Sequence, residues 1–183
     1  MRITAGTYRN RTLKTPSSDT IRPASDKVRQ AVFNMLVSYD LPRDSYVIDG
    51  FCGTGSYGLE AISRGAKNCI FIDQDRTART LCEANIETLG CADQSTFIGK
   101  NMMTLTSPPA SLPPANLVFL DPPYGKDLLP RAIVPLLTHD WAAEDALFVI
   151  EHGKNEVFST PYLNIIKEKQ YGDVTIKFYM RQI

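Results

Sequence analysis

Asp121-Pro122-Pro123-Tyr124 concentrates more chemistry than any other tetrapeptide in this chain. Adjacent prolines offer no backbone N–H and fix φ, so the turn is stiff and rich in acceptors. An ionised Asp121 only accepts hydrogen bonds, and the Pro122 carbonyl can face the same point. Two fixed acceptors together suit an exocyclic NH₂ group. Tyr124 adds an aromatic face on which a flipped base can stack. An amine on an aromatic base is a poor nucleophile because its lone pair is delocalised. Accepting both its hydrogens pulls the nitrogen toward sp³ and directs the pair at a methyl group.

About 70 residues earlier stands Asp49-Gly50-Phe51-Cys52-Gly53-Thr54-Gly55-Ser56-Tyr57-Gly58. Gly53 and Gly55 permit a tight turn, and the helix that follows presents unpaired amides to a ligand. The Gly-x-Gly-x-x-Gly spacing alone also fits a dinucleotide. Asp49, however, would repel a pyrophosphate but can accept from an ammonium. Asp73 closes the next apolar run, placed to accept from ribose hydroxyls. Amine and ribose together describe S-adenosylmethionine, whose sulfonium is a strong methyl electrophile. The plainer alternative is that both aspartates only cap turns.

These groups need a scaffold that brings them to one edge. Apolar runs end at Asp49, Asp73, Ile98, Asp121 and Glu151, with helical patterns near 57–64, 75–89 and 127–137 between them. Short apolar strands alternating with helices predict a parallel sheet covered on both faces, with ligands at the carboxyl ends of its strands. Segments near 163–170 and 173–180, joined at Tyr171-Gly172-Asp173, predict a closing antiparallel hairpin. The first 15 residues predict a small β-hairpin. A helix capped by Ser25 or Asp26 follows, its apolar stripe formed by Val28, Ala31, Val32, Met35 and Leu36. The expected fold class is α/β, a Rossmann-like sheet of seven mostly parallel strands. Residues 1–25 form a basic N-terminal extension and 26–183 the main domain.

The chain has 183 residues, 43% apolar and 22% charged, ordinary for a single globular domain. Twenty basic and twenty acidic side chains cancel. The cancellation hides an asymmetry. Residues 1–30 hold seven basic against two acidic groups, +5, and the remainder holds thirteen against eighteen, −5. A basic end of this kind can track a phosphate backbone, while zero net charge excludes indiscriminate coating of nucleic acid. No apolar run nears the roughly 18–20 residues of a membrane span, and the N-terminus lacks a secretory h-region. Cys52, Cys69, Cys82 and Cys91 form no CxxC pair, and His139 and His152 lie far from them. Free thiols in a cytoplasmic protein without metal are therefore expected. With no heptads, the default is a monomer.

Taken together, the opening hairpin ending Arg11-Thr12-Leu13, the block Ile21-Arg22-Pro23-Ala24-Ser25-Asp26-Lys27-Val28-Arg29, Asp49 through Ala66, and Phe119 through Tyr124 resemble the bacterial 16S ribosomal RNA guanine-N2 methyltransferase family. The likeness runs from Arg2 to Arg181. Its Arg-Pro-Ala-Ser-Asp-Lys-Val-Arg block is absent from generic amino-methyltransferases. The resemblance implies a class I fold using S-adenosylmethionine, with the 30S subunit or its 16S RNA as partner. Asp49, Gly53 and Gly55 would hold the methionine moiety and Asp73 the ribose, with Phe51 and Gln74 also binding the cofactor. Asp121, Pro122 and Tyr124 would hold the guanine. Arg9, Arg11, Arg22, Lys27 and Arg29 would approach RNA, Arg22 and Arg29 also fixing the cap. Where the family usually carries Asp at the adenine amine, this chain has Asn101, followed by Met102, which could pack on the ring.

Two other functions fit parts of the pattern. A DNA adenine-N6 methyltransferase uses the same tetrapeptide but needs a recognition domain, for which residues 30–183 leave no room. A non-catalytic RNA-binding assembly factor has no use for an intact Asp-Pro-Pro-Tyr.

Overall fold

Tyr46–Gly50 (β1) is the central strand of a seven-stranded sheet. In the computed structural model, which describes residues 1–16, 26–123, 125–154, 156 and 158–182, the other strands are Asn68–Ile72 (β2), Ser95–Ile98 (β3), Ala115–Leu120 (β4), Ala142–Gly153 (β5), Leu163–Tyr171 (β6) and Val174–Arg181 (β7). Their order is β3-β2-β1-β4-β5-β7-β6. The first five run parallel, and β7 pairs antiparallel with both β5 and β6. The helices are Asp26–Leu36 (α1), Ser56–Ser63 (α2), Arg76–Leu89 (α3) and Leu129–Thr138 (α4). Arg22, Ser25 and Tyr124 lie outside the described residues.

Period-two alternation divides the core. Val47, Phe71, Phe119 and Val149 point to the face covered by α1, α2 and α3. Their neighbours Ile48, Ile72, Leu120 and Ile150 point to the face covered by α4. Because β1 lies between β2 and β4, the chain leaves it in opposite directions, which opens a crevice at the carboxyl ends of β1 and β4.

Local chemistry sets the helix ends. Asp75 caps α3 by accepting from the Thr77 and Ala78 amides, and Gly90 closes it at φ 71°. The last predicted helix, near 127–137, begins at Leu129 instead, with Pro130 in its first turn, where no backbone N–H is needed. Strand β5 outruns its apolar stretch: past Ile150 it stays paired to β7 through Gly153↔Val174.

The predicted N-terminal hairpin is present as a short antiparallel pairing around the Arg2↔Thr12 bridge, with the Ile3 N–H donating to the Arg11 carbonyl and the Leu13 N–H to the Met1 carbonyl, both at 3.0 Å. Contacts with the body hold it in place. Ile3 and Leu13 enter the same core as α1 and α2. Glu60, fully buried on α2, accepts from the Thr4 and Ala5 amides, the Thr4 hydroxyl and the Nε atoms of Arg29 and Arg64. Ser63 and Asn85 add bonds to the backbone at Thr7, Tyr8 and Lys14.

Candidate active site

The glycine loop links β1 to α2 through three residues at positive φ: Phe51 (58°), Gly53 (53°) and Gly55 (78°). Its path is held by the two strand-end carboxylates. Asp49 accepts from the Gly58 N–H at 2.8 Å, and Asp73 from the Gly53 N–H at 3.1 Å. Gly58 must lack a side chain: a Cβ there would stand 2.4 Å from Phe71 Cε1 and 2.5 Å from Cys69 Sγ. The third glycine thus lets α2 lie directly on β2.

Asp49 is buried, and desolvation pushes its carboxyl up to about 7, against the Gly58 N–H, which favours the charged form, and with a smaller push from Asp73. A buried acid raised in this way invites a cation. Asp49 meets Gly58 through Oδ2, leaving Oδ1 to receive an ammonium. Asp73 is half-buried and also accepts from the Asp75 N–H. A carboxylate offers about four acceptor positions, so two remain for neighbouring hydroxyls. Gln74 is exposed beside it and Phe51 half-buried at the start of the loop. The donor set fits the ammonium and ribose of S-adenosylmethionine.

The sign of the Asp49 shift makes a prediction. Below about pH 4 the group is protonated folded or unfolded, and above about 7 it is ionised in both. In between, the folded ligand-free chain binds the extra proton and loses stability as pH rises. Asp49→Asn keeps an oxygen for Gly58 and removes the charge. Thermal melts of the ligand-free protein should show the variant more stable than the parent at pH 8 and equal to it near pH 4.

Asn101 and Met102, expected at the adenine, lie at the turn that follows β3. The Asn101 side chain caps the turn Met102–Thr104 by accepting from the Met103 N–H at 2.9 Å, which leaves its oxygen one further acceptor position. Met102 is buried against Gly50 and Leu120, with its Cε 2.8 Å from where a Gly50 Cβ would be. It floors the crevice as part of the α4-side core.

Across the crevice, Asp121 follows β4 and Pro122 is buried beside it. Burial raises the Asp121 carboxyl well above the usual range, and the charges of Glu151 and Asp49 add to the effect. A cleft of about 230 Å³ adjoins it, lined by Pro122, Pro123, Lys126, Leu129, Glu156 and Phe158 among others. Glu156, unremarked in the sequence, joins the two loops of this cleft by accepting from the Gly125 and Gly153 amides. Its signal was absent because those partners lie on separate connections.

Arg29 requires a correction. Expected to approach RNA, it is fully buried, bonded to Glu60, Asp26 and the Arg2 carbonyl. Through Nε and Nη2 the guanidinium clamps α1, α2 and the hairpin together, while its buried Nη1 has no hydrogen-bond partner among the described residues. Arg9, Arg11 and Lys27 are exposed, Arg11 also donating to the Thr88 carbonyl. All four cysteines are free and buried. Among the described residues no metal-holding cluster occurs and no helix is long and apolar enough to cross a membrane.

With this geometry in view, the whole chain matches known proteins. Residues 1–180 match the family described as conserved hypothetical protein 95. The Haemophilus influenzae protein named ribosomal RNA small subunit methyltransferase D is 35% identical over 98% of this chain and 93% of its own. The chain belongs to this methyltransferase family. A solved Escherichia coli structure, 32% identical, superposes with a TM-score of 0.84 over 100% of this chain and 98% of that one. At the level of fold alone, the magnesium protoporphyrin IX methyltransferase of Synechocystis, solved with bound S-adenosylmethionine, gives 0.65 at 15% identity over 85% and 79%. The Rossmann-like class I methyltransferase fold is thereby established for this member of the family.

Proposed function

We propose that this methyltransferase moves a methyl group from S-adenosylmethionine to the exocyclic N2 amine of a guanine in small-subunit (16S) ribosomal RNA, in the cytoplasm and on an assembled or partly assembled 30S particle. The observation that carries the reading is the half-buried Asp121 at the end of β4, close enough to Asp49 of the neighbouring β1 for their charges to act on one another at the switch point. The names of the relatives support the RNA class.

When bound, S-adenosylmethionine supplies a methyl group on a positively charged sulfur. Asp49 would anchor its ammonium and Asp73 its ribose. Gln74 and Phe51 flank those groups, and Asn101 offers one acceptor to the adenine amine. Asp121 and the Pro122 carbonyl would take the two hydrogens of the guanine amine, and Tyr124 would stack on the base. Once the nitrogen is methylated, Asp121 accepts the proton it sheds. No part of this requires the protein to attack the substrate itself. Alignment and two acceptors are sufficient.

The substrate is read by shape in this proposal, and residues 1–25 with Lys27 supply the phosphate contacts. Labelled-methyl transfer tests both points. Small subunits from cells lacking the enzyme should accept label far faster than protein-free 16S RNA, and the modified base should be N2-methylguanine. Equal rates on the two substrates would remove the particle from the reading, and label on another atom would remove the guanine. Neutralising Arg9, Arg11 and Arg22 together should weaken RNA binding and flatten its salt dependence while leaving cofactor affinity intact. A DNA adenine-N6 activity would instead put label into duplex DNA.

A further inference from the structure

The buried acid Glu151 has no part in the reaction as described so far. It sits on β5 at 4% exposure, one residue past Ile150, which pairs with Leu120 of β4. In a parallel ladder, residues in register point to the same face. The next positions along these strands are Asp121 and Glu151, and both follow residues directed at α4. They therefore share the α2 face with Phe119 and Val149. Tyr57 of α2 stacks on Phe119 with ring centroids 4.9 Å apart and donates its hydroxyl to Glu151 Oε2 at 2.8 Å. A phenol donor inside the core favours an ionised partner.

Resting on the function proposed above, we infer that Glu151 is a positioning residue for methyl transfer, holding a fixed negative charge beside Asp121 so that Asp121 serves as the proton acceptor. In the balanced step, the amine lone pair forms the N–C bond and the C–S pair stays with sulfur. An N–H bond then breaks, its electrons return to nitrogen, and the proton passes to Asp121. Positive charge grows on the nitrogen as the N–C bond forms and is discharged when the proton leaves. A second carboxylate two strands from Asp49 stabilises that charge and makes Asp121 a stronger base.

The surroundings of Glu151 bear this out. Asp121 acts on it from the end of β4 and Tyr57 from α2, while Asp49 of β1 acts on Asp121. Arg29 of α1 is the cation acting on Tyr57. On β7 its register partner is Ile176, which brings no charge. Burial and the Glu151 charge both raise the Tyr57 hydroxyl, so it remains a donor at every working pH.

The test is the pH dependence of kcat for transfer to small subunits, at saturating cofactor and RNA. Saturation removes the contribution of Asp49 to cofactor capture. Glu151→Gln preserves an oxygen for Tyr57 and deletes the charge. Its acidic limb should move to lower pH by about one unit, with kcat about tenfold down on the plateau and cofactor affinity unchanged. Tyr57→Phe keeps the Glu151 carboxylate and removes its donor. Glu151 then competes for the proton the pair shares, and the limb should move the same way by less. Limbs of both variants superimposable on the parent's would overturn the inference. Absence of ribosomal RNA methylation by the parent enzyme would instead overturn the function on which it rests. Should Glu151→Gln not fold, the Tyr57→Phe profile decides alone.

Discussion

Replacing Asp121 by alanine should lower methyl transfer by at least about a hundredfold while the fold and cofactor binding persist. The size follows from the number of tasks the carboxylate performs. In the proposed reaction it would accept an amine hydrogen, offset the positive charge that develops on nitrogen and receive the departing proton. Loss of one preorganised electrostatic partner typically costs about 10²–10³ in rate, and proton acceptance contributes about 10²–10⁴ on its own. The fold should tolerate the change because the raised Asp121 carboxyl is a burden on the ligand-free protein. Removing an acid held among Glu151 and Asp49 relieves repulsion. Calorimetry with S-adenosylmethionine should therefore give parental affinity, and thermal melts an unchanged or higher midpoint. Asp121→Asn is the sharper variant, since it keeps one acceptor and loses the charge. A variant retaining parental turnover would remove Asp121 from the chemistry.

The second large effect concerns stability. Glu60→Ala should destabilise the protein by about 3–5 kcal/mol, because it removes the buried one of the two carboxylates paired with the Arg29 guanidinium and leaves only the half-exposed Asp26. For a chain of this size that corresponds to a fall in Tm of roughly 10 °C. The damage should concentrate at the N-terminus. Thr4, Ala5 and Arg64 lose their acceptor in the same substitution. Hydrogen exchange should show residues 3–13 losing protection first, ahead of the strands. A uniform loss across the sheet would mean that the hairpin is not a separately opening unit.

The strand ends were legible in the sequence because apolar alternation stops abruptly at an acidic residue, and the sheet gives each such residue the same edge. Asp49 and Asp73 could be placed from that pattern alone. Arg29 could not. A sequence displays charge but not burial, and the acceptor that draws Arg29 inward lies 31 positions away on another helix. Glu60 was invisible for the reciprocal reason: within Leu59-Glu60-Ala61-Ile62 it resembles a solvated helix position. Met102 was read as a ring-packing residue because a neighbouring adenine was assumed, whereas Gly50 leaves a hollow that its thioether fills. Glu151 was located as a strand end but given no task. Its meaning depends on Tyr57, 94 positions earlier and on a different layer.

The same distances bear on how the protein is made. Thr4 and Ala5 dock on residues 56 and 55 positions later, and Lys14 on one 71 positions later. The segment synthesised first cannot settle until α2 and α3 have been translated and folded. Long-range closures of this kind come late, after local structure has formed. Completing the body is therefore what docks Ile3 and Leu13 and fixes the place of the exposed Arg11, which donates to the Thr88 carbonyl.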